Sequence, residues 1–275
     1  MRTLDRYTEI WVIDFEFNQS GRRGNPQNPV CCVAQELNST RVVRLWGREM
    51  EHPPFDLSQQ NVLTVGFYFS AESGCMIPLG WPRPANVIDL FAEFRTITNG
   101  LKLPMGNSLL GACAMFGVEG ITADEKTDMR DLILRGEPFG TEEKQLIIDY
   151  CASDVFATGK LFAAMLDRIE LQWEHALARG RYMEVLGHVE HRGIPIDMAT
   201  YDQLIGTWDS IQADIITAID LEYGVYENGT FKRDQFEAYL VHEKIPWPRL
   251  DSGALALDDD SFKSEARAYP QLTPL

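Results

Sequence analysis

The sequence predicts an α/β fold, in which helices cover the faces of a sheet, followed by a smaller and mainly helical region. Strand-like segments, short and rich in branched and aromatic residues, are confined to the first 70 residues. Helical periodicity begins at residue 87 and continues with little further strand pattern. The chain has 275 residues, 45% hydrophobic and 24% charged, which suits a globular protein of two domains. Early strands followed by helices are typical of a sheet flanked by helices.

Four strands are predicted, at residues 9–17, 31–37, 41–46 and 61–69. The first three form a meander, in which Asn38-Ser39-Thr40 supplies the turn between the second and third strands. A polar loop rich in glycine and proline, residues 19–26, follows the first strand directly. The fourth strand leads into a short helix predicted from Ser70 to Ile77, and the segment from Pro78 to Pro84 ends it.

Six further helices are predicted, at residues 87–98, 108–116, 141–175, 182–191, 200–221 and 231–242. Thr141 is expected to be the N-cap of the third of these, because acidic residues follow it in the first turn. An apolar stripe at helical spacing runs along the fifth. We interpret this stripe as core packing, with a partner-binding groove as the alternative; its members are Leu204, Ile205, Trp208, Ile211, Ile215 and Ile219.

Charge and cysteine usage limit the classes of function. The net charge of −16 argues against a broad basic surface for nucleic acid, although a carboxylate site that holds divalent cations inverts the local charge. Five cysteines without a C-x-x-C pair predict reduced, buried thiols rather than disulfides or structural zinc. The sequence has no apolar run of about 18 residues and no signal-peptide core, so we expect a cytoplasmic protein without membrane contact.

Two carboxylates end the first predicted strand. Asp14 and Glu16 follow the apolar run Ile10-Trp11-Val12-Ile13. Because side chains alternate across a strand, both carboxylates point to one face while Phe15 points to the other. Hard oxygen ligands on a rigid element suit Mg²⁺ or Mn²⁺, whereas an isolated pair of this kind also fits a strand with one polar face.

A tyrosine and an aspartate lie together late in the sequence. Tyr150 and Asp154 are spaced i, i+4, so they stand on one face of the helix predicted from residue 141. Asp14-x-Glu16 after a strand, combined with Tyr150-x-x-x-Asp154, resembles the first and third motifs of the DEDDy-type 3′→5′ exonucleases. That proofreading-type family has a ribonuclease H-like fold, which the resemblance implies for this chain.

The family's middle motif supplies one more carboxylate, shortly before a helix that starts with an apolar residue and an aspartate. Val87-Ile88-Asp89-Leu90 resembles that helix start, which makes Glu72 the candidate for the middle carboxylate. The sequence departs from the family pattern here, because Glu72 replaces an aspartate and Tyr68 stands where an asparagine is expected. Asp89 is the alternative, with an N-cap or early-turn acid as its structural role.

The remainder of the chain is similar to family A (Pol I-like) DNA polymerases, phage-type members included. The similar segments are residues 176–184, 189–197 and 247–253. This resemblance implies an exonuclease domain over residues 1–172 and a helical, thumb-like region over residues 173–275. The catalytic motifs of the palm and fingers are not found, so we expect no polymerase activity. A polymerase or another replication protein is a possible partner.

The resemblance also implies roles for the site residues. Asp14 bridges two divalent cations, which are Mg²⁺ or Mn²⁺. Glu16 and Asp154 complete the site of the ion that generates the nucleophile. Glu72 supports the second ion. Tyr150 orients the attacking water, since a tyrosine with an ordinary pKa of about 10 is a poor base at neutral pH.

Candidate substrate contacts lie close to the first motif. Aromatic faces bind unstacked bases, so Phe15, Phe17 and Asn18 are expected to touch the terminal base or sugar. Sheet core is the alternative, and we favour it for Phe15. Arg22 and Arg23 of the adjacent loop are expected to meet backbone phosphates, with a solvated loop as the alternative. Lys126 and Arg130, further along the chain, are weaker candidates.

The predicted function is a 3′→5′ exonuclease that acts on single-stranded or frayed DNA ends and releases nucleoside 5′-monophosphates. An exoribonuclease on the same fold is one alternative, because discrimination rests on contacts around the 2′-hydroxyl. A second alternative is a weakly active or inactive DNA-binding accessory module derived from a polymerase.

Overall fold

The computed structural model describes residues 3–19, 26–118 and 123–275, with only the backbone described for residues 19 and 123–128. The chain divides into two compact units, residues 1–194 and 195–275. In the described ranges, no helix combines the length and the apolar character needed to cross a membrane.

The first unit is built on a mixed sheet of five strands. They are β1 (Glu9–Gln19), β2 (Gln27–Glu36), β3 (Val42–Trp46), β4 (Val62–Gly66) and β5 (Val87–Asp89), in the spatial order β3-β2-β1-β4-β5. The predicted meander forms the antiparallel half, β1 to β3, and β4 and β5 run parallel to β1. The central strand β1 continues past the carboxyl end of β4, because Val12 pairs with Val65 near the end of β4 while β1 runs on to Gln19. This is the predicted α/β class, a ribonuclease H-like sheet with a helical C-terminal region.

The helices of this unit cover both faces of the sheet. They are α1 (Phe69–Met76), α2 (Leu90–Ile97), α3 (Leu109–Met115), α4 (Ala123–Arg135), α5 (Thr141–Glu170) and α6 (Trp173–Arg192). On one face, Val12 and Val65 share a buried cluster with Val155 and Leu161 of α5. On the other face, Trp11 and Ile13 share a cluster with Phe69 of α1 and Met183 of α6. Alternation along β1 therefore directs successive side chains to two separate cores.

Glycines let α6 approach the sheet closely. A Cβ added at Gly180 would lie 2.0 Å from the carbonyl oxygen of Val87, on the backbone of β5. A Cβ at Gly187 would lie 2.6 Å from the carbonyl oxygen of Ser70 in α1. Since backbone atoms cannot give way as a flexible side chain can, only glycine fits either position.

Several predicted boundaries are wrong. Val87–Asp89 is a strand rather than a helix start, because these residues extend the parallel sheet beside β4 and the helix begins only at Leu90. Gly140, not Thr141, is the N-cap of α5, and its N–H donates to the Glu143 carboxylate. That helix ends at Glu170 instead of near residue 175. Helix α4 was not predicted, because its charged sequence carries a weak apolar stripe.

The second unit contains helices α7 (Met198–Tyr223), α8 (Arg233–Glu243) and α9 (Asp259–Ala268), with a hairpin of β6 (Tyr226–Glu227) and β7 (Thr230–Phe231). Its core holds Tyr223, Phe236 and Leu240, with Ile219 partly buried against them. The prediction that the apolar stripe of α7 packs in a core is wrong for most of the helix. Only the C-terminal end of α7 reaches this core, and the preceding stripe residues are exposed.

Candidate metal centre and active site

Strand β1 and helix α5 bring three potential metal ligands together. Ligand atoms of Asp14, Glu16 and Cys151 all lie within 4.8 Å of one another. Asp14 pairs with Val33 and Glu16 with Cys31 on β2, and the ladder shifts register directly after Glu16. A bulge of this kind re-aims side chains at the end of a strand and is common beside active sites. The two predicted carboxylates therefore share a face, as the strand period requires.

Helix α5 adds two further groups to the same place. The Tyr150 hydroxyl donates a hydrogen bond to the Asp154 carboxylate one helical turn away. Burial raises the pKa of Tyr150, and the charges of Asp154, Glu16 and Asp14 raise it further. The hydroxyl stays protonated at neutral pH because of this raised pKa. It can donate a hydrogen bond and position a neighbouring group, but it cannot act as a base.

Glu72 reaches the centre from the first turn of α1, just beyond the carboxyl end of β4. Its side chain is only 3% exposed and accepts a hydrogen bond from the Phe15 backbone N–H. Among the described residues, its Oε2 atom has no hydrogen-bond partner although it is buried. Burial raises the pKa of Glu72 well above 4.5, and the charges of Asp14 and Glu16 add to the rise. A buried, half-satisfied carboxylate beside two others is costly without a compensating positive charge.

The turn that presents Glu72 is strained. Tyr68, the N-cap of α1, has φ 71°, a left-handed conformation that is uncommon for an aromatic residue. A Cβ at Gly66, at the end of β4, would lie 2.8 Å from the Phe69 ring and 3.5 Å from Cγ of Glu72. Strain of this kind concentrates at functional sites, where the surrounding structure enforces it.

Asp89, the alternative to Glu72, performs a structural task. It is fully buried and accepts hydrogen bonds from the Phe69 N–H at 2.6 Å and the Ala92 N–H at 2.8 Å. One carboxylate thus caps α2 and fixes the start of α1, the helix that carries Glu72. This geometry favours Glu72 over Asp89 as the carboxylate of the centre.

Cys151 is a member of the centre that sequence reasoning missed. The thiol is buried, and its Sγ lies 3.4 Å from both the backbone oxygen and Oδ2 of Asp14. Burial raises its pKa, and contact with Cys31 and the Asp14 charge act in the same direction. The spacing could have revealed it, since Cys151 is three residues before Asp154 and shares its face of α5.

The predicted substrate contacts differ in accessibility. Phe15 is 4% exposed and packs against Trp81 with ring centroids 5.3 Å apart, so it belongs to the core. Phe17 is partly buried against the same cluster, and Asn18 accepts a hydrogen bond from Asn28 at 3.0 Å. Arg130 is exposed on α4. The predictions for Arg22 and Arg23, and for the side chain of Lys126, lie outside the described residues.

Comparison with known proteins shows similarity at the level of the fold. No protein-family model and no curated protein matches the chain. The POL domain of Pol1 from M. smegmatis, solved in complex with DNA primer-template and dNTP, has a TM-score of 0.56 and 14% identity, covering 96% of this chain and 43% of that one. Brucella melitensis NrnC has a TM-score of 0.50 and 16% identity, covering 70% of this chain and 90% of that one. This chain therefore spans less than half of the polymerase chain.

The two buried carboxylates Glu72 and Asp89 predict an unusual pH dependence of stability. The pKa of Glu72 lies well above its ordinary 4.5, and burial raises that of Asp89 from 3.8 to about 6. Between the ordinary and raised values, the folded protein holds protons that the unfolded chain has released, so the free energy of unfolding falls as pH rises. Without divalent cations, we expect the thermal unfolding midpoint to fall as the pH rises from about 4 to about 6.

Two substitutions separate the contributions of Glu72 and Asp89 to stability. Glu72→Gln is expected to make this pH profile less steep, because it removes one of the two buried ionisable groups. Asp89→Asn is expected to lower the midpoint throughout, since the single amide oxygen cannot serve both the Phe69 and Ala92 N–H groups. Differential scanning calorimetry in the presence of a chelator measures both effects. An unchanged slope in Glu72→Gln would contradict the assigned burial of this carboxyl group.

Proposed function

We propose that this chain is a metal-dependent 3′→5′ exonuclease of the DEDDy type. Its substrates are single-stranded or frayed DNA ends, which it hydrolyses to nucleoside 5′-monophosphates. The observation that carries the proposal is the convergence of acidic groups from three separate elements: Asp14 and Glu16 on β1, Glu72 on α1 and Asp154 on α5. Similarity of fold to a Pol1 domain solved with DNA primer-template supports a nucleic-acid substrate.

The donor set fits hard divalent cations. Carboxylate oxygens suit Mg²⁺ and Mn²⁺. The Oε2 atom of Glu72 is buried and has no hydrogen-bond partner among the described residues, so a cation beside it would supply the missing interaction. Asp14, Glu16 and Asp154 would hold one cation, and Glu72 would support a second beside Asp14. When bound, the cations supply an activated water and stabilise charge on the phosphate and the leaving 3′-oxygen.

The remaining groups of the centre bind and orient. Without cations, the acidic cluster would repel a phosphodiester, so the chain's own charge makes activity depend on metal. The protonated Tyr150 hydroxyl donates its single hydrogen bond to Asp154 and so orients that carboxylate, while the hydroxyl oxygen can accept a hydrogen bond from the attacking water. The partly buried Phe17 and the polar Asn18, at the end of β1, would contact the terminal nucleotide.

Two other functions are compatible with parts of this geometry. An exoribonuclease would use the same carboxylates, since the metal chemistry does not depend on the sugar. An accessory module would bind DNA without shortening it. The accessory module stays a candidate because Glu72 stands where the exonuclease family usually has an aspartate.

A strand-shortening assay tests the proposal. Single-stranded DNA and RNA of one sequence, each labelled at the 5′ end, are incubated with the metal-stripped protein and added Mn²⁺ or Mg²⁺. We expect a ladder of progressively shorter labelled DNA, nucleoside 5′-monophosphates as products, and no reaction with a chelator. Faster shortening of RNA would establish the exoribonuclease instead. Binding without shortening would establish the accessory module, and internal cleavage would rule out an exonuclease.

A further inference from the structure

One face of α7 exposes a continuous row of large apolar side chains. We call it the α7 stripe, and its members are Tyr201, Leu204, Ile205, Trp208, Ile211 and Ile215, which are 36% to 61% exposed. At 100° per residue they fall within one third of the helix circumference. Further along the helix, Ile219 and Tyr223 pack in the core of the second unit. The helix is therefore anchored at its C-terminal end, while the stripe leaves apolar surface in water.

Such a stripe is typical of an interaction surface. Contiguous apolar patches on soluble proteins mark binding sites, whereas single exposed apolar residues need no explanation. An isolated helix is only marginally stable in water, and helices in proteins gain most of their stability by packing an amphipathic face. Trp208 lies at the centre of the stripe, and exposed tryptophans are enriched among residues that dominate binding energy.

Charge around the stripe indicates the chemistry of the partner. Helix α7 contains five acidic residues and no lysine or arginine; the acids are Asp202, Asp209, Asp214, Asp220 and Glu222. Asp202 and Asp209 are seven residues apart, so they lie on the same flank of the stripe, two helical turns from each other. A second copy of this helix would bring aspartates against aspartates, which disfavours self-association.

The same charges disfavour two other occupants. A helix without basic residues cannot neutralise phosphates, so DNA is a poor partner for this surface. Anionic lipid surfaces attract amphipathic helices through lysine and arginine, which α7 lacks. A protein helix with an apolar face bordered by basic residues complements both the stripe and its acidic flank.

We propose that the α7 stripe is the docking surface for a helical protein segment whose apolar face is flanked by lysine or arginine. This inference is independent of the exonuclease proposal, because it uses no residue of the carboxylate centre. Apolar side chains of the partner would cover Trp208 and Ile215, and its basic residues would pair with Asp202 and Asp209. The acidic flank then sets which helices are accepted, since like charges repel the others.

A pair of designed peptides tests this assignment. Each is an amphipathic helix of about three heptads with leucine on one face, and the flanks carry lysine in one peptide and glutamate in the other. Fluorescence anisotropy of the labelled peptides measures binding to the full chain. We expect the lysine peptide alone to bind, more weakly as salt increases. Trp208→Ala is expected to weaken it roughly tenfold or more, whereas Tyr182→Ala, which removes an exposed aromatic ring of α6, leaves it unchanged.

Charge reversal provides the sharper test, because any acidic protein attracts a basic peptide to some degree. The double variant Asp202→Lys/Asp209→Lys is expected to lose the lysine peptide and gain the glutamate peptide. Asp131→Lys/Asp167→Lys makes the same change in net charge at exposed positions of α4 and α5, and should retain the wild-type preference. Equal loss in both double variants would overturn the proposal as non-specific attraction. A wild-type dimer in light scattering that Trp208→Ala converts to monomer would overturn it in favour of a second copy.

Discussion

Replacing Asp14 by asparagine is expected to lower the rate of exonucleolytic hydrolysis by at least ~10³-fold, about 4 kcal/mol of transition-state stabilisation. The asparagine keeps the shape of the side chain, so the fold should persist. It replaces an anionic ligand with a neutral one at the point where Glu16 and Cys151 also converge. Single-turnover shortening of 5′-labelled DNA, with enzyme in excess and Mn²⁺ present, measures the chemical step.

Asp149→Asn is the matched control. Asp149 precedes Tyr150 on the same helix, but its carboxylate is half-exposed and pairs with Arg44 at 2.6 Å. Surface ion pairs contribute little, so we expect less than about a twofold change in rate. Full activity in Asp14→Asn, or a large loss in Asp149→Asn, would show that the centre lies elsewhere.

Gly180→Ala is expected to destabilise the first unit by about 3 kcal/mol. The added Cβ would lie 2.0 Å from the carbonyl oxygen of Val87, so α6 must move away from β5 and open the packing between them. Urea denaturation followed by circular dichroism should show a lower midpoint. The change is also expected to disturb Asp89, which lies at the end of β5 and fixes the start of α1.

Gly206→Ala controls for the loss of glycine in a helix. No described atom lies within 4 Å of a Cβ added at Gly206 of α7. Alanine has the higher helix propensity, so this change should stabilise α7 by up to about 1 kcal/mol. If Gly180→Ala has the same urea midpoint as the wild type, the close contact between α6 and β5 would be contradicted.

Sequence reasoning succeeded best where one element determines the geometry. The strand period puts Asp14 and Glu16 on one face, and the helix period does the same for Tyr150 and Asp154. Both relations can be derived without a tertiary structure. The sequence contains no period that links the two pairs, so only the resemblance to the exonuclease family suggested that they meet.

Tertiary contacts account for most of what sequence reasoning missed. Choosing between Glu72 and Asp89 depends on backbone N–H groups of Phe69 and Ala92 that only the folded chain brings to Asp89. The strand Val87–Asp89 is too short to show an alternating pattern in the sequence. These residues form a strand because they pair in parallel with β4. For α7, periodicity identified the apolar face, but it cannot tell whether another element covers that face.

The proposed activity requires that Asp14, Glu16, Glu72 and Asp154 form a divalent-cation centre. Isothermal titration calorimetry of Mn²⁺ into the metal-stripped protein tests this directly and without a nucleic-acid substrate. Saturable binding is expected for the wild type and for Asp149→Asn, with loss of binding in Asp14→Asn. No binding by the wild type, or equal binding by Asp14→Asn, would contradict the claim.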